Sequence, residues 1–73
     1  MLKYKMKSQN DNIFKFFYYP NGNFDAPGEI EVVGNSKSGR VIEQSPEDSG
    51  NYYAFHAIHG IDTSTCRGTV AWY

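Results

Sequence analysis

Two groups of side chains in this chain have the types and spacing to do chemistry. The first is His56, His59, Asp62 and Cys66. Residues three apart on a helix share roughly one face. Imidazole, carboxylate and thiolate are all zinc donors, so three such groups could hold a metal with an open position. The order His-x-x-His followed by a cysteine matches no standard ligand spacing, and no fourth donor is evident. The expectation is no metal and no cofactor, with both histidines turned to solvent or one bonded to a backbone carbonyl. Cys66, His59 and Asp62 also supply a nucleophile, a base and an orienting acid. Such triads are constellations in space, however, and no glycine-rich phosphate loop, nucleophile elbow or paired-carboxylate motif accompanies them. A chain of 73 residues has little room for a deep pocket beside a core. It does not read as an enzyme.

The second group is a lysine stripe. Lys3, Lys5 and Lys7 alternate with Leu2, Tyr4 and Met6, the period of a strand with one polar face. Lysines beside aromatic strands can track a phosphate backbone and stack bases. Together with Lys15, Phe17 and Tyr19 they support single-stranded nucleic-acid binding as the alternative functional reading. The plainer account is a solvated outer face, with Glu29, Glu31 or Glu43 opposite as cross-strand charge pairs. Seven Lys+Arg against eight Asp+Glu give a net charge of −1, which favours the plainer account.

These side chains need elements to position them. The first strand covers Leu2 to Lys7, and the polar cluster 8–12 turns the chain into a second strand, Ile13 to Tyr19. Pro20 stops that strand because proline cannot donate to a ladder. A loop through Asn21-Gly22 and Phe24 leads to a third strand, 29–33, then a hairpin loop, 34–39, and a fourth strand, 40–44. Ser45-Pro46-Glu47-Asp48 has the form of a helix start, with Ser49 or Asn51 as the alternative, because Gly50 interrupts. Tyr53, Ala54, Ala57, Ile58 and Ile61 follow the spacing of a buried helical face, and Gly60 can terminate it. A polar loop precedes a final strand over 69–73.

The order β-β-β-β-α-β predicts an α+β fold: an antiparallel sheet of about five strands with one short helix on one face, as a single domain over 1–73. A β-barrel with a helical plug is the runner-up. Such a chain buries only about 62% of its unfolded surface. One cysteine excludes an internal disulfide, so large side chains must make the core. Aromatic residues are 16% of the sequence, more than one helix can cover. If Phe14, Phe16 and Tyr18 point inward, then Ile13, Lys15, Phe17 and Tyr19 point outward, unless the loop carrying Phe24 folds over them. Tyr52 and one of Trp72 and Tyr73 remain as further hot-spot candidates. No apolar run reaches the roughly 20 residues of a membrane span. The free cysteine and the absence of a signal-peptide pattern predict a cytoplasmic protein.

Tyr18-Tyr19-Pro20-Asn21-Gly22, Pro27-Gly28, Tyr53-Ala54-Phe55-His56-Ala57-Ile58 and Val70-Ala71-Trp72-Tyr73 carry a resemblance. The chain resembles short uncharacterised bacterial proteins with a Tyr-Tyr-Pro-x-Gly segment and a Val-Ala-Trp-Tyr terminus. That resemblance implies no activity, ligand or partner. The function read from the residues is a small non-enzymatic protein-interaction module, as a homodimer or on a larger protein. Such a module suits an inhibitor or regulator of the kind carried by phage or mobile elements. Its expected surface is Lys15, Phe17, Tyr19, Phe24, Tyr52 and Trp72, with Lys3, Lys5 and Lys7 as the alternative nucleic-acid face.

Overall fold

The computed structural model describes residues 1–34 and 38–72. The elements are β1 (Leu2–Asn10), β2 (Ile13–Pro20), β3 (Gly28–Val33), β4 (Ser38–Glu43), a 3-10 turn (Ser49–Asn51), α1 (Tyr52–Gly60) and β5 (Arg67–Val70). The strands form one antiparallel sheet in the order β4-β3-β2-β1-β5. The sheet is open, with β4 and β5 at its edges, so the barrel alternative is not what forms.

Burial alternates along β3 and most of β2, while β4, at the edge, buries no side chain. Leu2, Tyr4, Phe14, Phe16, Tyr18, Ile30 and Val32 are buried on one face, beneath Ala54, Ala57 and Ile61. The connection from β4 to β5 crosses the whole sheet, and this is why α1 lies over that face. Small residues at 54 and 57 let the short helix sit close to the ring layer formed by Tyr4, Phe14 and Phe16. Two buried tyrosines lie over glycines directly opposite them on the neighbouring strand: Tyr18 over Gly28 and Tyr4 over Gly68. A Cβ on either glycine would come within 2.2 Å of the Tyr18 ring or 2.6 Å of the Tyr4 hydroxyl. The aromatic side chain covers backbone that no other group shields.

Several boundaries move, each for a physical reason. β1 runs on to Asn10 because Ser8, Gln9 and Asn10 keep pairing with β2 after a bulge at Lys7. That bulge shifts the register by one residue and leaves only Asp11 and Asn12 to turn. Asp11 takes the positive φ (55°) the turn requires. Pro20 closes β2 as its last residue opposite Leu2, at a point where no third strand needs its missing N–H. Residues 35–37 of the expected hairpin loop lie outside the described residues, and β4 begins at Ser38. The last strand is earlier than expected: Arg67 to Val70 pair with β1, whereas Trp72 lies beyond it and Tyr73 is outside the described residues.

The helix starts at Tyr52, and the Ser45-Pro46 start does not form. Ser45 is buried and its hydroxyl donates to the Ala26 carbonyl at 2.6 Å, tying the 45–48 turn to the loop before β3. Asn51 occupies the N-cap position in a left-handed conformation and makes no side-chain cap. Asp48 supplies the cap. Its carboxylate accepts from the backbone N–H groups of Tyr53 (2.9 Å) and Ala54 (3.0 Å) and from the Tyr18 hydroxyl (2.8 Å). The positive φ values of Gly50 (71°) and Asn51 (61°) fold the 3-10 turn tightly enough for Asp48 to reach back. Gly60 ends the helix, with the Ile61 N–H donating to the Ala57 carbonyl.

Burial is the chief cause that pushes the Tyr18 hydroxyl well above the ordinary tyrosine range. The N–H of Ser45 works against this and the Asp48 carboxylate adds to it. The proton therefore stays on Tyr18 in the folded state while an unfolded tyrosine loses it near pH 10. The sign follows: this contribution is intact below about pH 10 and is lost as pH rises above it, because the unfolded chain then releases a proton the native state retains. Urea unfolding at about pH 9 and about pH 11 is expected to show a lower midpoint at the higher pH, with a smaller drop in Tyr18→Phe.

Candidate functional site

Strand register sorts the candidate residues onto two opposite faces. The helix covers one. The other, which α1 does not cover, carries three rows of side chains: Arg67, Lys5, Phe17, Glu29 and Glu43; Thr69, Lys3 and Tyr19; and Ser8, Lys15, Glu31 and Arg40. Lys7, in the bulge, reaches the same face, where its Nζ donates to Glu29 Oε1 at 2.8 Å and lies 5.5 Å from the centre of the Phe17 ring.

Every lysine and arginine among the described residues lies on this open face: Lys3, Lys5, Lys7, Lys15, Arg40 and Arg67. The strand carboxylates facing them are Glu29, Glu31 and Glu43, all on β3 and β4, and Asp25 is exposed in the loop beside Phe24. The balanced charge of the whole chain thus hides a strongly sided molecule. Glu31 engages Arg40, directly opposite it on β4, whereas Glu29 engages Lys7 across β2, so this pair is not between neighbouring strands as the sequence reading expects. Neither β1 nor β5 carries an Asp or Glu. Along this pair a cleft of about 180 Å³ is lined by Lys3, Lys5, Arg67, Gly68 and Thr69, with Phe24 at its side.

The aromatics of the open face are partly covered. Tyr19 is buried, its ring packed edge-on against Phe24 at 4.8 Å, and burial raises its hydroxyl above the usual tyrosine range. Phe17 is half-buried beneath Lys7. Phe24 itself is 64% exposed. The 21–27 loop therefore covers Tyr19 and presents Phe24 in its place.

Tyr52 and Trp72 belong to the opposite side. The Trp72 indole stacks on the His56 ring at 3.9 Å with a 3° interplanar angle. Its Nε1 donates to the Tyr52 hydroxyl at 3.0 Å. Tyr52 also meets His56 edge-on at 4.8 Å, and Tyr53 meets Trp72 at 5.5 Å. This cluster pins the residues after β5 onto the N-terminal half of α1. Beside it, Tyr52 and Phe55 (54% and 60% exposed) join Ile58 and Val41 in lining a groove of about 430 Å³ between α1 and the β4 edge.

The residues considered for metal or nucleophilic chemistry take separate places. His56 is in the Trp72 stack. His59 donates from Nδ1 to the Phe55 carbonyl at 2.9 Å, and its ring lies 4.3 Å from that of Phe55. Asp62 accepts from the N–H and hydroxyl of Ser64, shaping the loop before β5. Cys66 is exposed, and its carbonyl extends the β1–β5 ladder by accepting from the Met6 N–H. Among the described residues no set of three or more His, Cys, Asp or Glu could hold a metal ion, and no helix is long and apolar enough to cross a membrane.

Two surface residues escape the sequence reading. Phe55 falls outside the helical core stripe, and an aromatic in that position is the signal that could have found it. Arg67 joins the lysines only because β5 pairs with β1, and the sequence carries no sign of that pairing. Comparison with known proteins returns no matching family model, no matching curated protein and no matching solved structure.

Proposed function

We propose that the protein is a non-catalytic, cytoplasmic interaction module that binds a protein partner along the β4 edge and the groove beside it. The observation that carries this reading is the exposure of Tyr52 and Phe55 over an apolar groove bordering an edge strand. An edge strand offers unpaired N–H and C=O groups to an extended peptide, and a groove alongside accepts its alternate side chains. Aromatic residues dominate the binding energy of such surfaces. Arg40 lines the groove and no carboxylate does among the described residues, so a partner strand with apolar side chains and flanking acidic residues fits it. Occupying a partner's strand in this way is how so small a module would act as an inhibitor or regulator.

The test compares wild type, Phe55→Asp and Lys5→Glu in affinity capture from the native host, with light scattering on each purified protein. A partner retained by wild type and by Lys5→Glu, and reduced at least about tenfold by Phe55→Asp, is the expected result. No protein distinguishing wild type from Phe55→Asp, or a wild-type dimer that Phe55→Asp dissociates, would overturn it.

A further inference from the structure

We infer that the β1–β5 half of the open face binds single-stranded nucleic acid, with the backbone on Lys3, Lys5 and Arg67 and a base on Phe24. This stands apart from the groove reading and uses the opposite face. Its strongest support is an arrangement that the fold alone would not favour. Lys5 and Arg67 are directly opposite one another across the β1–β5 pair. Like charges so placed are destabilising, and among the described residues no carboxylate lines their cleft to relieve them. A phosphate between them would turn the repulsion into attraction.

The surroundings agree with that occupant. The two glutamates of β3 that could compete are already engaged by Lys7 and Arg40. The Lys3 Nζ is steadied at the cleft by a hydrogen bond to Thr69 Oγ1 at 3.0 Å. Lys3 and Lys5 are two residues apart on a strand, which sets their stems about 7 Å from each other along β1, a spacing suited to successive phosphates of an extended strand. Phe24 borders the same cleft and is the most exposed large apolar side chain of the described residues. Its edge-on contact with Tyr19 fixes the ring against the sheet. An exposed ring beside a row of cations stacks an unpaired base, which a duplex does not offer.

The probe is a fluorescein-labelled oligothymidylate of about 12 nucleotides, followed by anisotropy at low salt. Saturable binding is expected. With three cations engaged, the logarithm of affinity should fall with the logarithm of salt with a slope of about −2, or about 100-fold in affinity for a tenfold rise in salt. Phe24→Ala is expected to weaken binding by about fivefold or more through lost stacking.

Arg67→Glu separates binding from structure. It places a carboxylate opposite Lys5, so the thermal midpoint should hold or rise while binding falls at least about tenfold. A duplex of the same length and phosphatidylserine vesicles complete the set. Absence of saturable binding overturns the inference. So does binding that Arg67→Glu or Phe24→Ala leaves unchanged. Equal or tighter binding to the duplex or the vesicles overturns it in favour of a general anionic surface.

Discussion

Replacing Asp48 with alanine is expected to cost about 3 to 5 kcal/mol of folding stability, enough to bring the protein close to unfolding. A domain of this length holds only about 4 to 11 kcal/mol in total. Asp48 is 2% exposed, and neither ion pair found among the described residues includes it. Hydrogen bonds to the Tyr53 and Ala54 N–H groups and the Tyr18 hydroxyl hold its charge, helped by the positive end of the helix. Alanine would leave two helix donors and one buried hydroxyl without acceptors, each costing about 1 to 3 kcal/mol when water cannot reach it.

The damage would extend beyond the helix. Tyr18 also accepts from the Ser45 N–H, and Ser45 is tied to Ala26. One carboxylate therefore joins β2, the loop before β3, the 45–48 turn and α1. Asp48→Asn keeps one acceptor oxygen but turns an N–H toward a donor, so it should recover less than half of the loss. Urea unfolding followed by far-ultraviolet circular dichroism measures both. A loss below about 1 kcal/mol for Asp48→Ala would show that the network is not what holds the helix on the sheet.

Phe16 and Phe17 are adjacent in sequence and chemically identical, yet truncating them should differ by about 2 kcal/mol or more. Phe16 is fully buried, edge-on to Tyr4 at 5.5 Å and stacked near Phe14 at 6.4 Å. Phe16→Ala opens a cavity beneath α1 and is expected to cost about 3 to 5 kcal/mol. Phe17 lies on the open face, half-buried, with Lys7 over its ring. Phe17→Ala removes a cation–π contact and partly covered apolar surface, about 1 kcal/mol. Equal losses for the two would contradict the placement of the helix over the even-numbered side chains of β2.

Both expectations bear on how far the sequence alone could be read. The alternation at Leu2-Lys7 and Phe14-Tyr18 determines which side chains share a face, because the period of a strand is two whatever it pairs with. The stripe Tyr53, Ala54, Ala57, Ile58 and Ile61 likewise marks the buried side of the helix. From those patterns the α+β class, the element order and the grouping of the β2 side chains into two faces were legible, but not which of the two faces the helix covers. The Asp48 cap was not. It lies three residues before the N-cap position, just ahead of the 3-10 turn, outside any local capping pattern.

The candidate surface shows the same division more sharply. Phe17, Tyr19, Phe24, Tyr52 and Trp72 stand out in the sequence as aromatics in excess of what one helix can cover. Tertiary structure divides them, placing Phe17, Tyr19 and Phe24 with Lys15 and the Lys3-Lys5-Lys7 stripe on one face, and Tyr52 and Trp72 on the other. It also adds Arg67 to the lysines and Phe55 to the groove.

The reactive groups that first draw the eye, His56, His59, Asp62 and Cys66, end in four separate local roles. Residue types and local periodicity determined which side chains could be exposed together on one element. Only strand order and register, set by contacts between residues far apart in the chain, decided which elements meet, and so which of those side chains form a surface.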